Sequence, residues 1–183
     1  MSEYTKHLTP RPELRERIIE TAVKAFAAQG IKSITMDDIA TSLGISKRTL
    51  YEVFPDKETL LEECILRGQK EGDEYLKNVL ATSENVLEVL LKCYQRSIEK
   101  FHATNKKFFE DIKKYPKAYK LMTKRHDQDS EETVNFFKEG VKQGIFRDDV
   151  FAIINLLVRE QIDLLMNTDI CKEYSFLEVY ESI

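Results

Sequence analysis

Four of the five residues that follow Ser46, namely Lys47, Arg48, Thr49 and Tyr51, carry groups that can hydrogen-bond to a nucleic acid. Lysine and arginine reach guanine edges or phosphates, threonine meets a base edge or a thymine methyl, and a tyrosine hydroxyl suits a phosphate. Thr35 and Lys57 stand at expected helix starts, where unpaired backbone amides and a nearby cation also suit a phosphate. The competing reading is that Lys47 and Arg48 merely solvate a surface helix.

Such side chains can read DNA only if a rigid frame presents them together. Thr35 is a helix-capping residue, and Asp38, three positions on, can reach back to it. Ile39, Ala40 and Leu43 then form one apolar face, and Gly44 supplies the freedom that ends the helix. Ser46 caps a second helix in which Leu50 and Phe54 point inward. Ala40 is small enough to let the two helices cross closely. The pattern predicts a helix-turn-helix, whose second helix enters the major groove with its N-terminal residues at the base edges.

Residues 30 to 60, from Gly30 through Thr35-Met36-Asp37-Asp38-Ile39-Ala40 and Gly44-Ile45-Ser46-Lys47-Arg48-Thr49-Leu50-Tyr51 to Leu60, resemble the DNA-binding segment of the TetR family of bacterial transcriptional regulators. The likeness takes in the preceding helix, where Ile18, Ala22, Phe26 and Gly30 fall at that family's first-helix core and terminal glycine. It covers roughly the first third of the chain; beyond about residue 65 only the architecture is similar. The resemblance implies DNA contacts from Thr35, Ser46, Lys47, Arg48, Thr49, Tyr51 and Lys57. It fails at Glu52 and Val53, where many relatives carry polar residues and a histidine. Val53 cannot hydrogen-bond a phosphate, and Glu52 would repel one unless paired.

The 183 residues carry a net charge of −4, with six glycines, four prolines and no tryptophan. That profile is helical and wrong for a protein that coats DNA indiscriminately. Residues 1 to 57 hold nine Lys or Arg against eight Asp or Glu, and the remainder 19 against 24. Binding must then rest on a few placed cations, which suits a site-specific regulator. No apolar run approaches the roughly 20 residues that span a bilayer, and the expected location is the cytoplasm. Cys64, Cys93 and Cys171 fit free thiols, mostly buried. His7, His102 and His126 show no metal-ligand spacing, so neither metal nor cofactor is expected. No paired carboxylates, nucleophile with a base, or metal cluster supports an enzyme.

The rest of the chain predicts an all-α fold of about nine helices. A three-helix DNA-binding domain over 1–55 precedes a larger helical effector-binding and dimerisation domain over 56–183. Pro12 opens the first helix, and Pro55-Asp56 starts a long fourth that would transmit a change from pocket to DNA. Thr82 or Ser83 opens a fifth, with Val86, Leu87, Leu90, Leu91, Tyr94, Ile98 and Phe101 on one stripe. Asn105 caps a sixth. Pro116 begins a seventh, which resumes later with Val134, Phe137 and Val141 and closes at Gly140 and Gly144. Residues 123–132 between those parts are either an exposed helical stretch or a break.

An apolar helix from Val150 to about Met166, capped by Asp148, must be buried on both sides. Its Phe151, Ile154, Val158, Ile162 and Leu165 are expected to face a second copy, assisted by Phe176 and Tyr180 on a short last helix. One recognition helix reads only a few base pairs, so a two-fold pair on a palindromic operator follows, with half-sites about 34 to 36 Å apart. The resemblance likewise implies pairing through the last two helices and an effector pocket. Tyr94, Phe101, Phe108, Phe109, Tyr119, Met122 and Phe137 are its candidate lining, since ligand sites are mostly apolar and aromatic. Each is also a natural core residue. Residues 101 to 125 carry eight Lys or Arg against two acidic residues, either an anion-attracting patch or a solvated face. The chain is thus expected to be a homodimeric repressor, released from double-stranded DNA by a small apolar or amphipathic effector. A DNA-bound structural or cell-division factor with the same head is the alternative.

Overall fold

A computed structural model describes residues 11–124 and 131–147. Among them are eight helices: α1 (Arg11–Gln29), α2 (Met36–Leu43), α3 (Lys47–Val53), α4 (Lys57–Thr82), α5 (Val86–Ala103), α6 (Lys106–Ile112), α7 (Pro116–Lys124) and α8 (Glu131–Lys142). The described residues hold no strand. They fall into two compact units, one of residues up to 69 with 104–122, the other of 70–103 with residues from 123 onward. Helix α4 therefore gives its first half to one unit and its second half to the other.

The first unit is built on the apolar spacing of α1. Ile18, Ala22 and Phe26 recur at four-residue intervals, which places them on one face, and all three are buried. Ile39 and Ala40 of α2, Leu50 of α3, Phe54 behind it, and Leu60, Leu61 and Cys64 of α4 are buried too. Burying a side chain of Leu, Ile or Phe size contributes roughly 1.5–3 kcal/mol, so this cluster is what keeps so small a head folded. Burial pushes the Cys64 thiol up to about 12, and it donates to the Ile19 carbonyl at 3.8 Å. It is a packing residue, as expected for a buried thiol.

The second unit has Val79, Val86, Val89 and Phe137 buried. Tyr75 of α4 donates to the Lys92 carbonyl at 3.1 Å, and the Arg96 guanidinium lies over the Tyr75 ring, 4.1 Å from its centre. Phe137 meets Phe146 and Phe136, with centroids 5.3 and 5.9 Å away. A Cβ on Gly140 would overlap the Phe146 ring, so glycine lets that ring pack against α8.

Two sequence expectations change. Helix α5 is not opened by Thr82 or Ser83: Thr82 ends α4 with its hydroxyl donating to the Asn78 carbonyl at 2.9 Å. Asn85 starts α5 instead, its side-chain oxygen accepting from Glu88 N at 3.0 Å. The expected stripe is not buried as a whole, because Val86 and Val89 point inward while Leu87 and Leu91 are 48% and 53% exposed. After Pro116 the described helical stretches are Pro116–Lys124 and Glu131–Lys142, on either side of residues 125–130. Residues 125–130, within the stretch left open above, lie outside the described residues, as does the segment from Val150 expected to form an apolar helix.

Candidate nucleic-acid interface

Both helices of the reading motif start and stop through local chemistry. The Thr35 hydroxyl accepts from Asp38 N at 3.1 Å, and the Asp38 carboxylate accepts from Thr35 N at 2.8 Å, a reciprocal capping box. Gly44 closes α2 with φ 66° and ψ 28°, a conformation that favours glycine. Its N–H donates to the Thr41 carbonyl at 3.0 Å, and Ile45 N donates to the Ala40 carbonyl at 3.0 Å. That pair of bonds is the Schellman arrangement, and it fixes how the chain enters α3. Ser46 caps α3, accepting from Thr49 N at 3.0 Å.

The turn leaves one face of α3 to solvent. Lys47, Arg48 and Tyr51 are exposed, whereas Leu50 is fully buried. Thr49 is half-buried, and its hydroxyl lies 2.8 Å from that of Ser46. Lys47 Nζ sits 2.8 Å from Asp37 Oδ2 and 5.9 Å from the centre of the Tyr51 ring. Hydrogen bonding to Asp37 and its charge raise the Lys47 pKa. Arg48 Nε lies 3.0 Å from Glu52 Oε1, so the carboxylate expected to repel phosphate is paired. Val53 is half-buried and offers no polar atom.

Thr35 and Lys57 flank this face with different roles. The Thr35 hydroxyl is held within its capping box, donating to Asp38 Oδ2 at 2.7 Å. Lys57, at the start of α4, is half-buried, with Nζ 5.7 Å from the centre of the Phe26 ring. Burial lowers its pKa, against the opposing charges of Asp111 and Asp38. Asp56 caps α4, accepting from Thr59 N at 2.7 Å.

The two capping carboxylates make the motif acid-sensitive. The Thr35 hydroxyl holds the Asp38 carboxyl below its ordinary 3.8, and the Thr59 backbone amide does the same for Asp56. A carboxyl with a lower pKa folded than unfolded stabilises the fold above the unfolded pKa, and that stabilisation is lost as pH falls through the folded value. Melting temperature is therefore expected to drop between about pH 5 and about pH 3. An Asp38→Asn/Asp56→Asn variant should show a shallower drop in the same thermal scans. Parallel profiles would exclude these carboxyls as contributors.

One set of residues was not foreseen as part of the head. Asn105, just before α6, donates from its backbone N to the Ala27 carbonyl at 2.7 Å and from Nδ2 to the Ala28 carbonyl at 3.1 Å. Asp111, a buried acid of α6, accepts from Lys32 N at 2.7 Å. Gly30 lies between these bonds at φ 86°, and a Cβ there would stand 2.6 Å from Lys107 Cβ. Asn105 was visible as a cap, but its sequence separation of 77 residues from Ala28 gave no local signal.

The candidate pocket residues are divided. Phe108, Phe109, Tyr119 and Met122 lie half-buried in the first unit, while Phe101 (half-buried) and Phe137 (buried) belong to the second. Phe108 and Phe109 meet edge to face, with centroids 5.5 Å apart. Tyr94 is on α5, but its side chain lies outside the described residues, as do Phe151, Ile154, Val158, Ile162, Leu165, Phe176 and Tyr180. Among the described residues, no group of three His, Cys, Asp or Glu could hold a metal ion. No described helix is long and apolar enough to cross a membrane.

A capped helix-turn-helix with cations on its second helix, followed by further helices, defines a DNA-binding regulator. Comparison with known proteins narrows the class. A family profile described as "Bacterial regulatory proteins, tetR family" matches residues 18–64. The HTH-type transcriptional repressor KstR2 of Mycolicibacterium smegmatis is 28% identical over 141 residues, covering 74% of this chain and 69% of that protein. The negative transcriptional regulator IcaR of the Staphylococcus aureus biofilm operon icaADBC is 32% identical over 72 residues, 39% of this chain and 37% of its own. A transcriptional regulator of Saccharomonospora viridis, solved in complex with choline, is 25% identical with a TM-score of 0.64. That likeness covers 87% of this chain and 89% of the other. Residues 18–64 thus match the tetR family of bacterial regulatory proteins, and the chain is similar to transcriptional regulators over most of its length.

Proposed function

We propose that this regulator is a homodimeric repressor that binds a palindromic operator and leaves it when a small apolar or amphipathic molecule occupies its helical part. The observation that carries the reading is the exposed row of Lys47, Arg48 and Tyr51 on a helix fixed by Ser46 and the Gly44 turn. Relatives named as repressors support the sign of regulation, and a relative solved with choline supports a small-molecule effector. Thr35, Ser46, Thr49 and Lys57 complete the proposed DNA contacts, with Lys57 serving a phosphate at the N-terminus of α4. Pairing would use the apolar helix from Val150 together with Phe176 and Tyr180, because a two-fold site needs two recognition helices. Effector and operator then couple through the difference in effector affinity between two conformations.

The test is fluorescence-anisotropy binding of the purified protein to the intergenic DNA upstream of its own gene, against a scrambled duplex, across a salt series. Selective binding that persists at physiological salt is the expected result. Equal binding to both duplexes that collapses as salt rises would leave only electrostatic attachment, and the reading of a local repressor would fall.

A further inference from the structure

Both cations at the start of the recognition helix meet a carboxylate of their own chain before any DNA arrives. Asp37, in the first turn of α2, reaches Lys47 across the turn at 2.8 Å, and Glu52, one turn along α3, reaches Arg48 at 3.0 Å. The Arg48 pair engages Nε, so both terminal amino groups of the guanidinium can still donate. The ammonium of Lys47 likewise has two protons beyond the one given to Asp37. Surface pairs of this sort add little to folding, which leaves their effect on DNA as the property they govern.

We propose that Asp37 and Glu52 are specificity-determining residues, which suppress binding to non-cognate DNA by compensating Lys47 and Arg48 until a matched base edge draws them away. The inference rests on the reading that α3 meets DNA. On a random duplex, attraction comes from phosphate charge and counterion release alone. Each cation then arrives already neutralised, alongside a carboxylate that the same phosphates repel. On a matched site, directional hydrogen bonds to base edges add a term the carboxylates do not cancel, because the remaining donors stay free to make it. The near balance of charge in residues 1 to 57, nine against eight, has the same sense.

The experiment measures anisotropy of a labelled random-sequence duplex and of a duplex selected from a random pool by the wild-type protein. Wild type is compared with Glu52→Gln, Asp37→Asn and the double variant. Glu99→Gln, an exposed carboxylate of α5 in the other unit, makes the same change in net charge and serves as control. Each single variant is expected to tighten random-duplex binding about 3-fold at about 50 mM salt, and the double about 10-fold. The slope of log K against log salt should steepen by about one per released cation. Selected-duplex binding should improve less, so the selectivity ratio falls, and Glu99→Gln should move neither quantity. Variants that match Glu99→Gln, or that keep the wild-type ratio, would overturn the assignment while leaving the regulator reading intact. Failure of wild type and variants to bind any duplex at low salt would instead remove that reading, and this inference with it.

Discussion

Gly30→Ala is expected to destabilise the protein by about 2–5 kcal/mol. Two costs add. An alanine at φ 86° sits in the left-handed region, which costs about 1–2 kcal/mol. Its Cβ would also press on Lys107 Cβ at 2.6 Å, with the Asp111 carboxylate at 3.3 Å and the Lys107 backbone at 3.4 Å. Overpacking of that kind typically costs 1–3 kcal/mol. Gly44 provides the comparison, since its φ is 66° but a Cβ would meet nothing within 4 Å. Gly44→Ala should therefore cost only about 1–2 kcal/mol. Urea titration of both variants separates conformational strain from collision. Equal losses would mean that α6 moves aside freely and that its docking on the end of α1 is loose.

Lys47→Ala/Arg48→Ala is expected to weaken binding to a selected duplex by at least about 30-fold, because each cation that reads a base is worth about 1–3 kcal/mol. Removing the cations also leaves Asp37 and Glu52 bare on the face proposed to meet DNA, which adds repulsion. Stability should change little, as both side chains are exposed and paired only at the surface. Anisotropy reads the affinity, and size-exclusion chromatography of the same samples reads the oligomeric state. Retained affinity would dismiss α3 as the reading element. A changed elution volume would show that these side chains serve association between copies instead.

What the sequence made legible was whatever is decided within a few residues. The Thr35–Asp38 box, the Gly44 turn, the Ser46 and Asn105 caps and the inward Leu50 and Phe54 all depend on neighbours two to five positions away, and each stands where its residue type placed it. The same local logic located Asp56 at the start of α4. Local chemistry misled where two candidates competed: Thr82, Ser83 and Asn85 can all cap, and the hydroxyl of Thr82 was already engaged by Asn78. Helical periodicity could not choose between Leu87 and Val89, because a broad apolar stripe has two possible inner faces until its packing partner is known. The Arg48–Glu52 pair is an i,i+4 contact open to sequence reasoning, whereas Lys47–Asp37 needs the angle between two helices. Asp111 reaching Lys32 N, 79 residues away, carried no sequence signal at all.

That last contact bears on synthesis. The compact unit that displays α3 takes residues up to 69 and then 104–122, with α5 in between belonging elsewhere. A nascent chain that has delivered α1 through α3 to the cytosol side of the ribosome still lacks the Asn105 and Asp111 bonds that fasten the end of α1. At roughly 5–20 residues per second, the head waits several seconds for its own brace while the intervening helix emerges. The unit that displays α3 is thus among the earliest parts made, while the bonds that fasten the end of α1 are supplied only after the intervening helix.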